Sequence, residues 1–181
     1  FSVEAVKFLE TLNTKIYKIS SFEMNDTSLL KEVALTKKPI ILSTGLANFK
    51  EIKESIKILK KYGSKNITLL YCVSEYPSKK NDFNLNNITS LKEKFKCEVG
   101  LSDHSIGSDI ACMSIIKGAN IIEKHICLKN VKAVDSKFSL NQYDIKNFVR
   151  QINLAFNLIN NKKLEKKKSI NNKFRRSIYA I

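Results

Sequence analysis

A strand–helix alternation repeated five times predicts an α/β fold built on a parallel sheet. Three observations carry that expectation: five short apolar or β-branched runs, amphipathic stretches between them, and glycines at the joins. The runs are Ile16–Ser20, Pro39–Gly45, Ile67–Ser74, Val99–His104 and Ile121–His125, and each reads as a strand buried on both faces. Stretches 26–36, 48–62, 87–95, 107–117 and 141–160 read as helices covering the sheet. Gly45, Gly63, Gly107 and Gly118 sit at or near the joins, and Pro39 opens a strand where its missing N–H is tolerated. Phe1 leads directly into helical spacing of apolar residues through Leu9, so the chain reads as a fragment whose start precedes Phe1. The alternation fits either an open doubly wound sheet or part of a (β/α)8 barrel. No GxGxxG or GxxxxGK[ST] follows a strand, which weakens the nucleotide-binding form of the open sheet.

Composition sets further bounds. With 181 residues and 43% hydrophobic content the chain supports one sizeable core. The formal charge of +15 comes from lysines scattered over most predicted helices, with the densest cluster at Lys162–Lys168. A solvated face and a basic linker account for them, and no aromatic-interleaved basic motif supports nucleic-acid binding; the charge can still draw in an anionic substrate. Cys72, Cys97, Cys112 and Cys127 form no CxxC pair and read as reduced, buried or half-buried thiols. No apolar stretch reaches the ~18–20 residues of a membrane span and no signal peptide is visible, so the expected location is cytoplasmic, without membrane contact.

Function collects at the C-terminal ends of parallel strands in both candidate architectures. Here those ends are polar: Lys18-Ile-Ser20-Ser21-Phe-Glu23, Ser43-Thr44-Gly45, Cys72-Val-Ser74-Glu75-Tyr76-Pro77, Ser102-Asp103-His104 and Glu123-Lys124-His125. His104 and His125 are the two histidines of the chain, 21 residues apart, which is one strand–helix–strand repeat. Adjacent strands lie about 4.8 Å apart, so two imidazoles at equivalent ends could converge on one metal ion or one substrate. The alternative is a hydrogen-bonded pair in a polar mouth; placement on successive strands favours the metal. Two imidazoles leave open positions for water and substrate, as Lewis-acid activation of a carbonyl needs. Lys18 with Ser21, Ser43 and Ser102 could hold a phosphate, although each serine alone reads equally as a turn or cap residue. Glu23 and Glu123 are candidate acid/base or sugar-binding groups, and Asp103 reads as a ligand-orienting residue or a helix cap.

Several of these segments, in order, resemble the sialic-acid synthase family: Tyr17-Lys-Ile-Ser-Ser-Phe-Glu23, Ile41-Leu-Ser-Thr-Gly45, Gly100-Leu-Ser-Asp-His104, Ile122-Glu-Lys-His125 and Asp135-Ser-Lys-Phe-Ser-Leu140, through to Lys173-Phe-Arg-Arg-Ser-Ile-Tyr179. The resemblance implies a (β/α)8 TIM barrel, of which about the last five βα units lie in 1–160, followed by a basic linker at 161–181 leading towards an antifreeze-protein-like domain. It implies condensation of phosphoenolpyruvate with an N-acetylated amino sugar to a nine-carbon 2-keto acid, with phosphate release, in a cytoplasmic homodimer. Carried over by motif, His104 and His125 would bind Mn2+ or Mg2+. Lys18, Ser21, Ser43 and Ser102 would hold phosphoenolpyruvate, while Glu23, Tyr76 and Asp135 would face the sugar, Glu23 also transferring a proton.

The Ser-Ser-Phe-Glu and Asp135–Leu140 segments favour the pseudaminic branch, with a 2,4-diacetamido-2,4,6-trideoxy-altrose substrate, over N-acetylneuraminate or legionaminate synthases. Ala133-Val134 stands where the family usually has Gly-Pro, which puts sugar contacts near Asp135 in question. Five strands of eight would leave two unpaired edges and an exposed apolar interior. The expected consequence is that the chain alone is inactive, or survives in a binding role.

Overall fold

The structure, a computed structural model, describes residues 1–160. The linker expected at 161–181 and the Lys173–Tyr179 segment lie outside the described residues. Five parallel strands form one sheet in chain order: β1 (Tyr17–Ile19), β2 (Ile40–Ser43), β3 (Ile67–Cys72), β4 (Glu98–Asp103) and β5 (Ile122–Lys124). Helices α1 (Val3–Thr11), α2 (Thr27–Leu35), α3 (Phe49–Lys61), α4 (Asn86–Phe95), α5 (Asp109–Ile116) and α6 (Ile145–Asn160) flank it. Beyond β5, short strands β6 (Ile126–Cys127) and β7 (Leu140–Asn141) pair in parallel and bracket a loop containing one 3₁₀ turn, Val134–Lys137. Strand order equal to chain order is the arrangement of a barrel wall, and it removes the doubly wound alternative, whose order reverses at a switch point.

Helix boundaries follow local chemistry. Asp26 caps α2 by accepting the Leu29 N–H at 2.9 Å, and Asn48 with Glu51 forms a capping box on α3. Ile52, Ser55, Ile56 and Leu59 recur at i, i+3, i+4 and i+7 and form the buried face of α3. The core lies between helices and sheet, where Ile19, Leu42, Leu69 and Val99 occupy equivalent positions on four strands and are almost fully buried. Tyr17 pins β1 to α1, donating its hydroxyl to Glu10 Oε1 at 2.6 Å.

The sheet is strongly curled. Lys18 on β1 reaches Glu123 on β5 at 3.4 Å. A flat sheet would hold those strands about 19 Å apart, beyond the combined reach of a Lys and a Glu side chain. The five strands are a half-barrel, and the pair spans its concave face. That face is not the bare apolar surface expected from sequence: Leu70 is fully buried, Ile41 and Thr68 are half-buried, and polar side chains occupy the upper positions. Exposed apolar side chains gather instead on α1 (Phe8), on α6 (Val149, Leu154, Phe156, Leu158) and after β5 (Ile126, Leu128, Val131, Val134).

Gly100 marks the tightest approach inside the sheet. A Cβ there would strike the Ile121 backbone carbonyl and come within 2.7 Å of Leu70 Cδ2. Gly100→Ala is expected to lower stability by about 1–3 kcal/mol through overpacking against backbone that cannot yield. A urea midpoint equal to that of the parent chain would contradict this close packing.

Candidate active site

Side chains two apart on a strand share a face, and the strand register aligns Cys72, Ser102 and Glu123 across β3, β4 and β5. Lys18 and Ser43 share their concave side on β1 and β2, and two residues past the aligned row stand Ser74, His104 and His125. Ser102 Oγ donates to Glu123 Oε1 at 2.6 Å and lies 3.3 Å from His104 Nε2. Lys18, Glu123, Ser102 and His104 therefore form one continuous polar chain from the first strand to the fifth. Glu123 faces the Lys18 ammonium, so an anion entering here competes with a carboxylate already present.

The two imidazole rings stand 5.2 Å apart, centre to centre, inclined at 75°. His104 Nδ1 lies 3.0 Å from the Val73 carbonyl, which can only accept, so the proton sits on Nδ1. His125 Nδ1 lies 3.0 Å from Asp135 Oδ2, with the same consequence. Both Nε2 atoms are then acceptors; Ser102 Oγ lies 3.3 Å from that of His104 but gives its proton to Glu123. A carbonyl or carboxylate on the far ring nitrogen is the arrangement that orients metal-binding histidines and raises their basicity. The donor set thus fits a divalent cation, and among the described residues no third His, Cys, Asp or Glu joins the pair. Open positions would be left to water and substrate.

Burial holds His104 below the ordinary imidazole range; the Val73 carbonyl opposes that shift and the neighbouring His125 adds to it. The ring stays neutral, as a ligand must, into mildly acidic solution.

Aromatic rings enclose the pair. Tyr76 stacks on His104 at 4.3 Å between centres, and Phe138 lies 5.1 Å from His125 and 6.0 Å from His104. Burial, with Cys72, Asp135 and Glu123 around it, raises the Tyr76 hydroxyl above its usual value, keeping it a neutral donor. The 73–78 loop wraps His104: Ser78 N–H donates to the His104 carbonyl at 3.1 Å, and Ser78 Oγ donates to the Val73 carbonyl at 3.0 Å.

The remaining residues expected from sequence fall at the same end of the sheet. Ser43 Oγ is buried without a hydrogen-bond partner. Ser21 Oγ meets Ser74 Oγ at 3.5 Å. Glu23 is held by the Ser20 hydroxyl at the tip of β1. Asp135, expected to face the sugar, is engaged with His125. Asp103 is neither a helix cap nor a site-facing group; it points to the helix side and pairs with Lys124. Phe138 and Ser74 were missed as site residues, although Phe138 lies inside the Asp135–Leu140 motif. The four cysteines are free, Cys72 buried beside Gly45 and the others half-buried.

A model of the NeuB family matches residues 1–164. The chain belongs to the NeuB family. It is 41% identical to the pseudaminic acid synthase of Campylobacter jejuni over 99% of this chain and 53% of that protein. It is 45% identical to the N,N'-diacetyllegionaminic acid synthase of the same species, over 84% of this chain and 46% of that protein. The N-acetylneuraminic acid (sialic acid) synthetase of Leptospira borgpetersenii, solved with citrate, superposes with a TM-score of 0.86 at 32% identity, over 96% of this chain and 61% of that one. This NeuB-family chain spans about half the length of the curated relatives it matches. Among its described residues no helix is long and apolar enough to cross a membrane.

Two outcomes are expected. With two histidines, long-range 15N–1H spectra of the chain should show two rings, both protonated at Nδ1 and bare at Nε2 at pH 8; an Nε2–H tautomer at either ring would contradict the geometry. Because the folded-state pKa of His104 is depressed, the unfolded chain binds more protons below its ordinary pKa of about 6.5. Its contribution to stability is present above that pH and declines as the pH falls towards the folded value. His104→Gln should flatten the decline in urea midpoint below pH 6.5, and an unchanged slope would contradict the burial argument.

Proposed function

We propose that this chain carries the metal- and phosphate-binding part of a nonulosonate synthase that condenses phosphoenolpyruvate with an acetamido sugar, releasing phosphate and forming a nine-carbon 2-keto acid. The observation that carries the reading is the pair of imidazole rings, 5.2 Å apart and each held at Nδ1 by an acceptor, at the C-terminal ends of parallel strands that also carry Lys18, Ser43 and Ser102. His104 and His125 hold a divalent cation, Mn2+ or Mg2+. When bound, that cation supplies Lewis-acid polarisation of the sugar aldehyde.

Lys18, Ser21, Ser43 and Ser102 bind the phosphate of phosphoenolpyruvate, and the unpartnered Ser43 hydroxyl is ready to donate to it. Glu123 balances Lys18 until the anion arrives, which keeps the ammonium extended across the half-barrel. Tyr76 and Phe138 line one side of the site beside the two imidazoles. Asp135 orients His125, and from the same loop its second oxygen can meet the sugar. Glu23 holds or moves a proton at the rim of β1. Alignment and preorganised charge let the phosphoenolpyruvate methylene carbon attack the aldehyde carbon; water then adds at the former enol carbon, and phosphate departs.

Among relatives, the pseudaminic acid synthase aligns with 99% of this chain and the diacetyllegionaminic acid synthase with 84%. That wider match, with the Ser-Ser-Phe-Glu segment, favours the 2,4-diacetamido-2,4,6-trideoxy-altrose substrate. A cytoplasmic homodimer is the corresponding assembly.

The test is a hybrid in which this chain replaces the matching half of the C. jejuni pseudaminic acid synthase, assayed for phosphate release with manganese. Release with the altrose derivative is expected. His125→Ala should cut it by more than the about 10–100-fold that loss of an outer-shell partner costs. Release with N-acetylmannosamine instead would move the chain to the sialic branch. Release with neither sugar from a folded, manganese-loaded hybrid would contradict the proposal and leave a binding role.

A further inference from the structure

Behind the histidines, on the helix side of the sheet, lies an ion pair that the proposed chemistry does not use. Lys124 Nζ stands 2.9 Å from Asp103 Oδ2, and the two side chains are 5% and 0% exposed. Asp103 Oδ1 accepts the Ser105 N–H at 2.8 Å, and Lys124 also donates to the Ser105 carbonyl. The clamp therefore grips the backbone on both sides of His104. Lys124 is itself flanked by Glu123 and His125, and its ammonium lies 5.8 Å from the centre of the Phe148 ring on α6.

We propose that Asp103 and Lys124 are positioning residues that set the separation and orientation of His104 and His125, and through them the metal affinity of the site. The inference rests on the metal reading above. Alternation along a strand makes such a device possible: the residues facing away from the site are covalent neighbours of those facing it. A buried, geometrically fixed pair bridging β4 and β5 holds their registers to one another at the last aligned pair of residues. Asp103 Oδ1 also sets the turn at Ser105, and with it the direction in which His104 leaves the sheet. Neither side chain reaches the concave face, so the pair acts only through the histidines. A buried charge left without its partner destabilises a fold, so the informative variant removes both charges together.

The full 181-residue chain, its Lys124→Met variant and its Asp103→Asn/Lys124→Met double variant are compared by manganese titration, following the EPR signal of free aqueous Mn2+, and by 15N spectra of the two imidazoles. Far-UV circular dichroism selects variants that keep parental secondary structure. If Lys124→Met fails this criterion, the double variant, which buries no unpaired charge, carries the test. The expected result is a 10–100-fold weaker manganese dissociation constant in the double variant, with at least one imidazole losing its fixed Nδ1–H tautomer. A double variant with parental manganese affinity and parental imidazole spectra would overturn the positioning role. A parent chain that binds no manganese would overturn the metal reading instead, while the imidazole spectra would still decide whether the pair orients the rings.

Discussion

Parallel pairing of β4 with β5 sets Ser102 beside Glu123 and Asp103 beside Lys124, and the site takes its geometry from that register. A slip of one residue would turn His125 towards α6 and Lys124 into the site, because side chains alternate between the faces of a strand. The register is secured from both sides. On the concave face Ser102 donates to Glu123; on the helix side Lys124 pairs with Asp103 in a dry environment. Gly100 permits the close approach of the Ile121 backbone that this pairing needs.

Curvature adds the second ingredient. Five strands in chain order bend until Lys18 on β1 meets Glu123 on β5, so residues 105 positions apart in sequence belong to one electrostatic unit. The cation and the carboxylate face each other across the concave wall, each about one-third exposed. The same arrangement explains why the upper positions of the concave face are polar while Ile19, Leu42, Leu69 and Val99, behind them, are almost fully buried.

Much of this was legible in the sequence. The β-branched runs and their spacing placed all five strands within two residues, since buried parallel strands leave continuous apolar signatures. Amphipathic spacing placed the starts of α2 and α3 at 26 and 48, where the structure shows Asp26 and Asn48 as caps. The two histidines were identifiable because one βα repeat separates them. What could not be read was which face a polar residue adopts next to a strand end. Asp103 read either as a ligand-orienting residue or as a helix cap, and the register turns it inward to a lysine 21 residues away, which rules out the cap. Asp135 looked like a sugar contact, and only the fold of the loop between β6 and β7 brings it to His125. Phe138 carried no chemical signal by itself; its role as a wall emerges once Tyr76 and both imidazoles are in place.

The proposed cation site requires the Nε2 atoms of His104 and His125 on one ion. The measurement that tests it most directly is pulsed EPR of Mn2+ added to the chain with its histidines labelled with 15N. The expected result is nuclear modulation from two 15N nuclei on one manganese ion, reduced to one by either His104→Ala or His125→Ala. Modulation from a single nitrogen in the parent chain, or none, would contradict it.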